Sequence, residues 1–175
     1  MITVLTGGVG SGKTTYLRSA IPLIRKRGVA VDGYLSERVM DGVTAAGYDL
    51  VDLQNGRRCR LLRRSAGGGA DHVGPFETDA EGFAAAEGII ARSRTSDLLV
   101  VDEMGRLELE GKGVWPAAGP VLREAGRRVL VVIREALLED YRARFRTEGT
   151  AVSIVRLPES KDPEVLARAI AEGRT

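Results

Sequence analysis

The chain has 175 residues, 43% of them hydrophobic and 29% charged, and a formal net charge of +2. That length suits one domain with a proper core, and so even a charge balance speaks against a protein that holds nucleic acid by bulk charge. The single cysteine, Cys59, rules out an intrachain disulfide and points to a reducing compartment. The apolar start is broken by Gly7 and Lys13, unlike a secretory leader. No apolar run approaches the roughly 20 residues a membrane helix needs, so the expected location is the cytoplasm.

Ile2 to Thr6 is a short apolar run ending at a glycine cluster, which predicts a buried strand. Leu17, Ala20, Ile21 and Ile24 then recur at helical spacing, with Gly28 as the stop and a kink expected at Pro22. Val29 to Leu35 reads as a second strand. Val43 to Leu53 and Arg57 to Leu62 read as a hairpin turning at Asn55-Gly56. Ala66 to Ala70 is nearly all glycine and alanine, the composition of a flexible loop. Thr78 and Glu81 form a capping box ahead of a helix carrying Phe83, Ala86 and Ile90 on one face.

Leu98 to Val101 is an uninterrupted apolar strand, followed by a helix near Val121 and Leu122. Val129 to Ile133 is the next strand, with Leu137, Leu138, Tyr141 and Phe145 on its helix. Val152 to Leu157 is the last strand, and Asp162-Pro163 supplies the N-cap and first turn of the closing helix. Apolar strands alternating with amphipathic helices predict an α/β fold, a parallel sheet covered on both faces. The expected organisation is one domain over 1–175, with the hairpin and flexible loop inserted at about 36–78.

Gly7-Gly8-Val9-Gly10-Ser11-Gly12-Lys13-Thr14 fits the phosphate-loop pattern G-x-x-x-x-G-K-[ST], with a strand before it and a helix after. Glycines let the loop curl so that successive N–H groups point inward at phosphates, and the helix start adds its positive dipole end. Lys13 is positioned to bridge the β- and γ-phosphates, Thr14 to ligate Mg²⁺ and Thr15 to reach the α-phosphate.

Asp102-Glu103 stands at the end of the buried strand Leu98 to Val101, the edge where ligands bind in doubly wound sheets. Asp102 is the expected second Mg²⁺ residue and Glu103 the expected base for the attacking water. The competing reading of Glu103 is an exposed acid or a partner for Arg134. Arg134 ends the neighbouring strand and is the candidate for neutralising γ-phosphate charge, against an ordinary ion pair. Glu37 and Arg38 are read either as a second-substrate edge or as a salt-bridged one. The cluster Arg57, Arg58, Arg60, Arg63 and Arg64 lacks interleaved aromatics and reads as a solvated hairpin face rather than a nucleic-acid site. One histidine, His72, and one cysteine cannot build a His/Cys metal site. Trp115 is read first as a packing residue and second as a stacking surface for a base.

Three stretches resemble the small P-loop nucleoside-triphosphatases known from archaea, thermophilic bacteria and humans. Besides the phosphate loop, Asp102-Glu103-Met104-Gly105-Arg106-Leu107-Glu108-Leu109 is similar to that family's Asp-Glu-Ile-Gly-x-Met-Glu-Leu signature. Gly33-Tyr34-Leu35-Ser36-Glu37, with the returning Gly47-Tyr48-Asp49-Leu50, resembles its Gly-Phe-x-Thr-Glu segment and Gly-Phe-x-Ile strand. Arg38 and Met40 depart from the Glu and Arg usual there. The resemblance implies a three-layer P-loop fold with a RecA-like parallel sheet and an added β-hairpin. It also implies Mg²⁺-dependent hydrolysis of several nucleoside triphosphates and Glu103 as the water-activating residue. The expected partner is the nucleoside triphosphate, with no membrane or nucleic acid, and the expected state is a monomer. The alternatives are a kinase passing the γ-phosphoryl to a small acceptor and a nucleotide-dependent, RNA-associated switch.

Overall fold

The structure is a computed structural model that describes residues 1–65, 72–157 and 162–173. The glycine-alanine stretch Ala66 to Ala70 lies outside them. The described elements are β1 (Ile2–Gly7), α1 (Lys13–Lys26), β2 (Val31–Asp41), β3 (Thr44–Asp52), β4 (Arg58–Arg64), β5 (His72–Val73), β6 (Phe76–Thr78), α2 (Ala80–Arg92), β7 (Leu98–Met104), α3 (Arg106–Leu109), α4 (Trp115–Leu122), β8 (Arg128–Arg134), α5 (Leu138–Thr147), β9 (Val152–Arg156) and α6 (Pro163–Ala171). Among the described residues no helix is long and apolar enough to cross a membrane.

The strands join in one sheet of order β5-β6-β4-β3-β2-β7-β8-β1-β9. From β2 to β9 the pairing is parallel. The strand β8 lies between β1 and β7, which is the RecA-like arrangement expected. Alternation along the central strands divides the core in two. Leu99, Val101, Val129, Val131 and Ile133 face a layer built from α2, α4 and α5. Leu98, Val100, Leu130 and Val132 face α1 and α6. Burial on both faces is why these strands read as continuous apolar runs rather than alternating ones.

The structure differs from the sequence-based expectation at two places, the course of the second strand and the N-cap of α2. The second strand does not stop at Leu35; it continues to Asp41, leaves β7 after Tyr34, and pairs antiparallel with β3 through a turn at Gly42. The expected hairpin is thus part of an antiparallel extension, β3, β4, β6 and β5, built outward from β2. The Asn55-Gly56 turn is present, with Gly56 at φ 72° and Asn55 Oδ1 accepting from the Arg57 N–H at 2.8 Å. The N-cap of α2 is Asp79 rather than Thr78: its carboxylate accepts from the Gly82 N–H at 3.0 Å, while Thr78 ends β6. The helix α1 runs through Pro22 as a single element. Asp162 caps α6 with Pro163 in its first turn, as the sequence suggests.

Two devices fasten β2 to its surroundings. Arg92 of α2 forks onto Asp32 of β2 (2.9 Å) and Asp52 of β3 (2.5 Å), so one guanidinium joins helix and two strands. Gly33, at φ 121°, lies so close to β7 that a Cβ would come within 2.0 Å of the Val100 carbonyl oxygen. Gly33→Ala should therefore destabilise the fold by about 2 kcal/mol or more through overpacking and backbone strain. The urea midpoint measures this, and an unchanged midpoint would mean that β2 and β7 do not approach in this register.

Candidate active site

The site lies at the carboxyl ends of β1, β7, β8 and β2, the edge where an open α/β sheet leaves a crevice. Gly10 (φ 75°) and Gly12 (φ 86°) adopt the left-handed backbone that curls the loop, and α1 begins at once with Lys13. At Gly7 there is no room for a side chain, since a Cβ would lie 2.7 Å from Ser11 Oγ and 2.9 Å from the Leu157 carbonyl oxygen. Gly8 and Val9 form the outer rim, with Val9 exposed and Thr15 exposed one residue beyond Thr14. Ser11 Oγ is buried and has no hydrogen-bond partner among the described residues.

Lys13 is 7% exposed and folds back on the loop, donating to the carbonyls of Gly7 (3.0 Å) and Gly8 (2.9 Å). Burial lowers its pKa; Glu103 and Asp102 oppose that shift, while Arg134 and Arg38 add to it. These four charges are thus the neighbours the ammonium feels.

Because β8 intervenes, β7 stands about 10 Å from β1, two strand spacings. The first turn of α1 closes that gap: the Thr14 hydroxyl donates to Asp102 Oδ2 at 2.9 Å. The same oxygen accepts from the Ser36 N–H at 3.2 Å. Asp102 is 1% exposed, and burial pushes its carboxyl up to about 7; the charge of Glu103 adds to the rise, and Thr14, Ser36 and Lys13 oppose it. A hydroxyl beside a buried carboxylate is a pair of hard oxygen donors that fits Mg²⁺, which binds through one or two protein oxygens and fills its shell with phosphate and water. Among the described residues no cluster of three or more His, Cys, Asp or Glu could cage a metal by itself.

Val101 and Met104 pair with Val131 and Ile133, so β7 bulges at Asp102 and Glu103. The bulge interrupts strict alternation, leaving Asp102 buried and Glu103 half-exposed toward the crevice. Glu103 Oε1 lies 2.5 Å from Arg134 Nε, and Arg134 stands beside Gly7 across the β1–β8 ladder. Lys13, Thr14, Asp102, Glu103 and Arg134 are therefore brought to one edge.

The weaker candidates fall out differently. Glu37 is paired with Arg18 of α1 and with Arg58 at 2.6 Å. Arg38 is exposed, its guanidinium 5.9 Å from the Tyr48 ring centroid. Within the basic cluster, Arg63 pairs with Asp49 at 2.6 Å, and Arg64 donates to the Ala45 carbonyl and covers the Phe76 ring. Trp115 is buried in the core with Arg144 stacked on it at 3.4 Å, so packing rather than base stacking describes it. Burial raises the pKa of the half-buried Cys59 thiol.

Sequence reasoning missed the Ser36 backbone, which no residue type can signal. It also read Tyr141 only as part of an apolar helix face, although its hydroxyl donates to the Gly105 carbonyl at 2.7 Å. Glu108 did carry a signal: it stands three residues after Gly105, the spacing of a capping residue, and its carboxylate accepts from the Gly105 N–H at 2.7 Å.

Comparison with known proteins adds a family to this fold. The chain is 32% identical over 173 residues to the nucleoside-triphosphatase THEP1 of Thermofilum pendens, covering 96% of this chain and 94% of the relative. It is 31% identical over 156 residues to the cancer-related nucleoside-triphosphatase homolog of Bos taurus, covering 80% and 82%. The solution structure of a human cancer-related nucleoside triphosphatase superposes with a TM-score of 0.69 at 26% identity, over 97% of this chain and 93% of the other. The crystal structure of THEP1 from Aquifex aeolicus shares the fold, with a TM-score of 0.74 at 19% identity over 97% and 96%. A family profile described as NTPase matches residues 2–168, and with nearly the whole chain so matched, the protein belongs to the NTPase family.

Proposed function

We propose that the chain is a Mg²⁺-dependent, cytoplasmic nucleoside-triphosphatase that converts ATP, GTP and other triphosphates to the diphosphate and phosphate. One observation carries the reading: the Thr14–Asp102 pair and the Glu103–Arg134 pair flank the loop on which Lys13 rests. The relatives named as nucleoside-triphosphatases support it.

When triphosphate enters, Lys13 exchanges the carbonyls of Gly7 and Gly8 for β- and γ-phosphate oxygens, joining the loop N–H groups from Gly8 to Thr15. Thr14 and Asp102 would hold the Mg²⁺, which when bound would supply neutralising charge to the phosphates. Glu103 accepts a proton from the attacking water as its oxygen bonds to the γ-phosphorus and the β–γ bridge breaks toward the diphosphate. Arg134 then leaves Glu103 for the γ-phosphate oxygens and stabilises their charge in the transition state, a role supported by its register position beside Gly7.

No contact in this scheme goes to the base. Turnover of ATP, GTP, CTP and UTP should accordingly agree within about an order of magnitude, or ~1.4 kcal/mol. Product analysis with each triphosphate, with and without a panel of hydroxyl and phosphate acceptors, tests both points. Free phosphate from all four supports the reading. A thousandfold base preference would demand a base-reading pocket, and phosphoryl appearing on an acceptor in place of free phosphate would make the enzyme a kinase.

A further inference from the structure

The segment from Gly105 to Trp115 begins two residues beyond Glu103, and α5 holds it through contacts that the phosphate chemistry does not use. Gly105 is fixed on both sides of its backbone. Its N–H donates to Glu108 Oε2 at 2.7 Å, and its carbonyl accepts from the Tyr141 hydroxyl at 2.7 Å. The other Glu108 oxygen accepts from the Val114 N–H at 3.1 Å, so one carboxylate ties the two ends of the segment together. Arg144, on the same face of α5 as Tyr141, donates to the carbonyls of Glu108 and Leu109 at 2.9 Å each.

The surroundings allow little slack. Tyr141 is fully buried and Glu108 nearly so. A Cβ at Gly113 would lie 2.0 Å from Glu108 Oε1. Burial, with Glu108 adding, holds the Tyr141 phenol well above its ordinary pKa, so it remains a donor. A buried hydroxyl and a buried carboxylate are unfavourable unless hydrogen-bonded, and packing alone would be met as well by phenylalanine and leucine. The two polar groups converge on Gly105, one on the peptide before it and one on the peptide after it, next to Met104, whose own side chain is sealed in the core. A general base needs to be held within a fraction of an ångström of its water.

We propose that Tyr141 and Glu108 are positioning residues for hydrolysis, fixing Gly105 between them and thereby holding the Glu103 carboxylate at the attacking water. This inference rests on Glu103 being the base. The test is a cycle of Tyr141→Phe, Glu103→Gln and the double variant, with Glu108→Gln alongside, each measured for Mg-ATP affinity, single-turnover hydrolysis and thermal melting. Tyr141→Phe keeps the ring in the core, so melting should stay close to that of the parent. Its single-turnover rate should fall about tenfold or more with affinity within about twofold, since only orientation at the reacting atoms changes. Glu108→Gln should show the same split. In the Glu103→Gln background Tyr141→Phe should slow hydrolysis no further, because residues acting as one unit are not additive.

A parental rate for Tyr141→Phe beside a slow Glu103→Gln overturns the positioning role and leaves the base intact. A full additional loss in the double variant, or a loss of affinity equal to the loss of rate, also overturns it. A parental rate for Glu103→Gln overturns the base assignment itself.

Discussion

Lys13→Ala is expected to abolish measurable turnover and to weaken Mg-ATP binding by at least about a hundredfold. The ammonium is the charged donor built into the loop, and two charge-assisted hydrogen bonds to phosphate together contribute about 3 kcal/mol or more. The free protein should tolerate the change. Burial already disfavours the charged lysine, as its lowered pKa reflects, and of the two carbonyls that it satisfies the Gly8 one belongs to an exposed residue, where water can replace it. Calorimetric titration with Mg-ATP, paired with a melting curve, separates lost binding from lost folding. Parental affinity in a well-folded variant would remove the phosphate-loop assignment altogether.

Glu103→Gln should produce the opposite pattern, with binding kept and chemistry lost. Glutamine retains an oxygen acceptor for Arg134, and the ion pair it replaces is partly solvent-exposed on both sides, where such pairs contribute about 1 kcal/mol or less. Stability and Mg-ATP affinity should thus change little. Losing the general base should slow single-turnover hydrolysis by about 10²–10⁴-fold. Single-turnover conditions matter because slow product release would otherwise conceal the chemical step. A parental rate would move the search for a base elsewhere, and the neighbouring carboxylates are poorly free to serve. Glu108 spends both oxygens on backbone N–H groups, and Glu37 is held by Arg18 and Arg58.

The parts of this site that could be read in the sequence are those written in local, contiguous residue types. The loop from Gly7 to Thr14 carries its own glycines and lysine, and Asp102-Glu103 follows an unbroken apolar strand that can only be central. The course of β2 past Leu35 was not legible, because Ser36 to Asp41 shows no clean alternation and gains its strand character from pairing with β3. Thr78 and Asp79 are both good capping residues side by side, and only the Gly82 N–H geometry separates them. The Ser36 contact to Asp102 uses backbone atoms, to which side-chain chemistry is blind. Tyr141 looked like one more apolar position on a helix, since spacing reports which face a residue occupies and not where its hydroxyl finds a partner.

The pairing of β1 has a consequence for synthesis of the chain. The strand that carries the phosphate loop has no partner among its near neighbours in sequence: Ile2 pairs with Val129 on one side and with Val152 on the other. Such long-range closure is entropically expensive and slow. As the chain emerges from the ribosome, β1 and its glycine loop come out well before β8 and β9, the strands they lie between. Until β8 and β9 have followed, the loop is a glycine-rich segment without its strand scaffold, and its N–H groups are not held in a converging array. Nucleotide-binding competence in the nascent chain therefore arrives late, with the strand ending at Arg156.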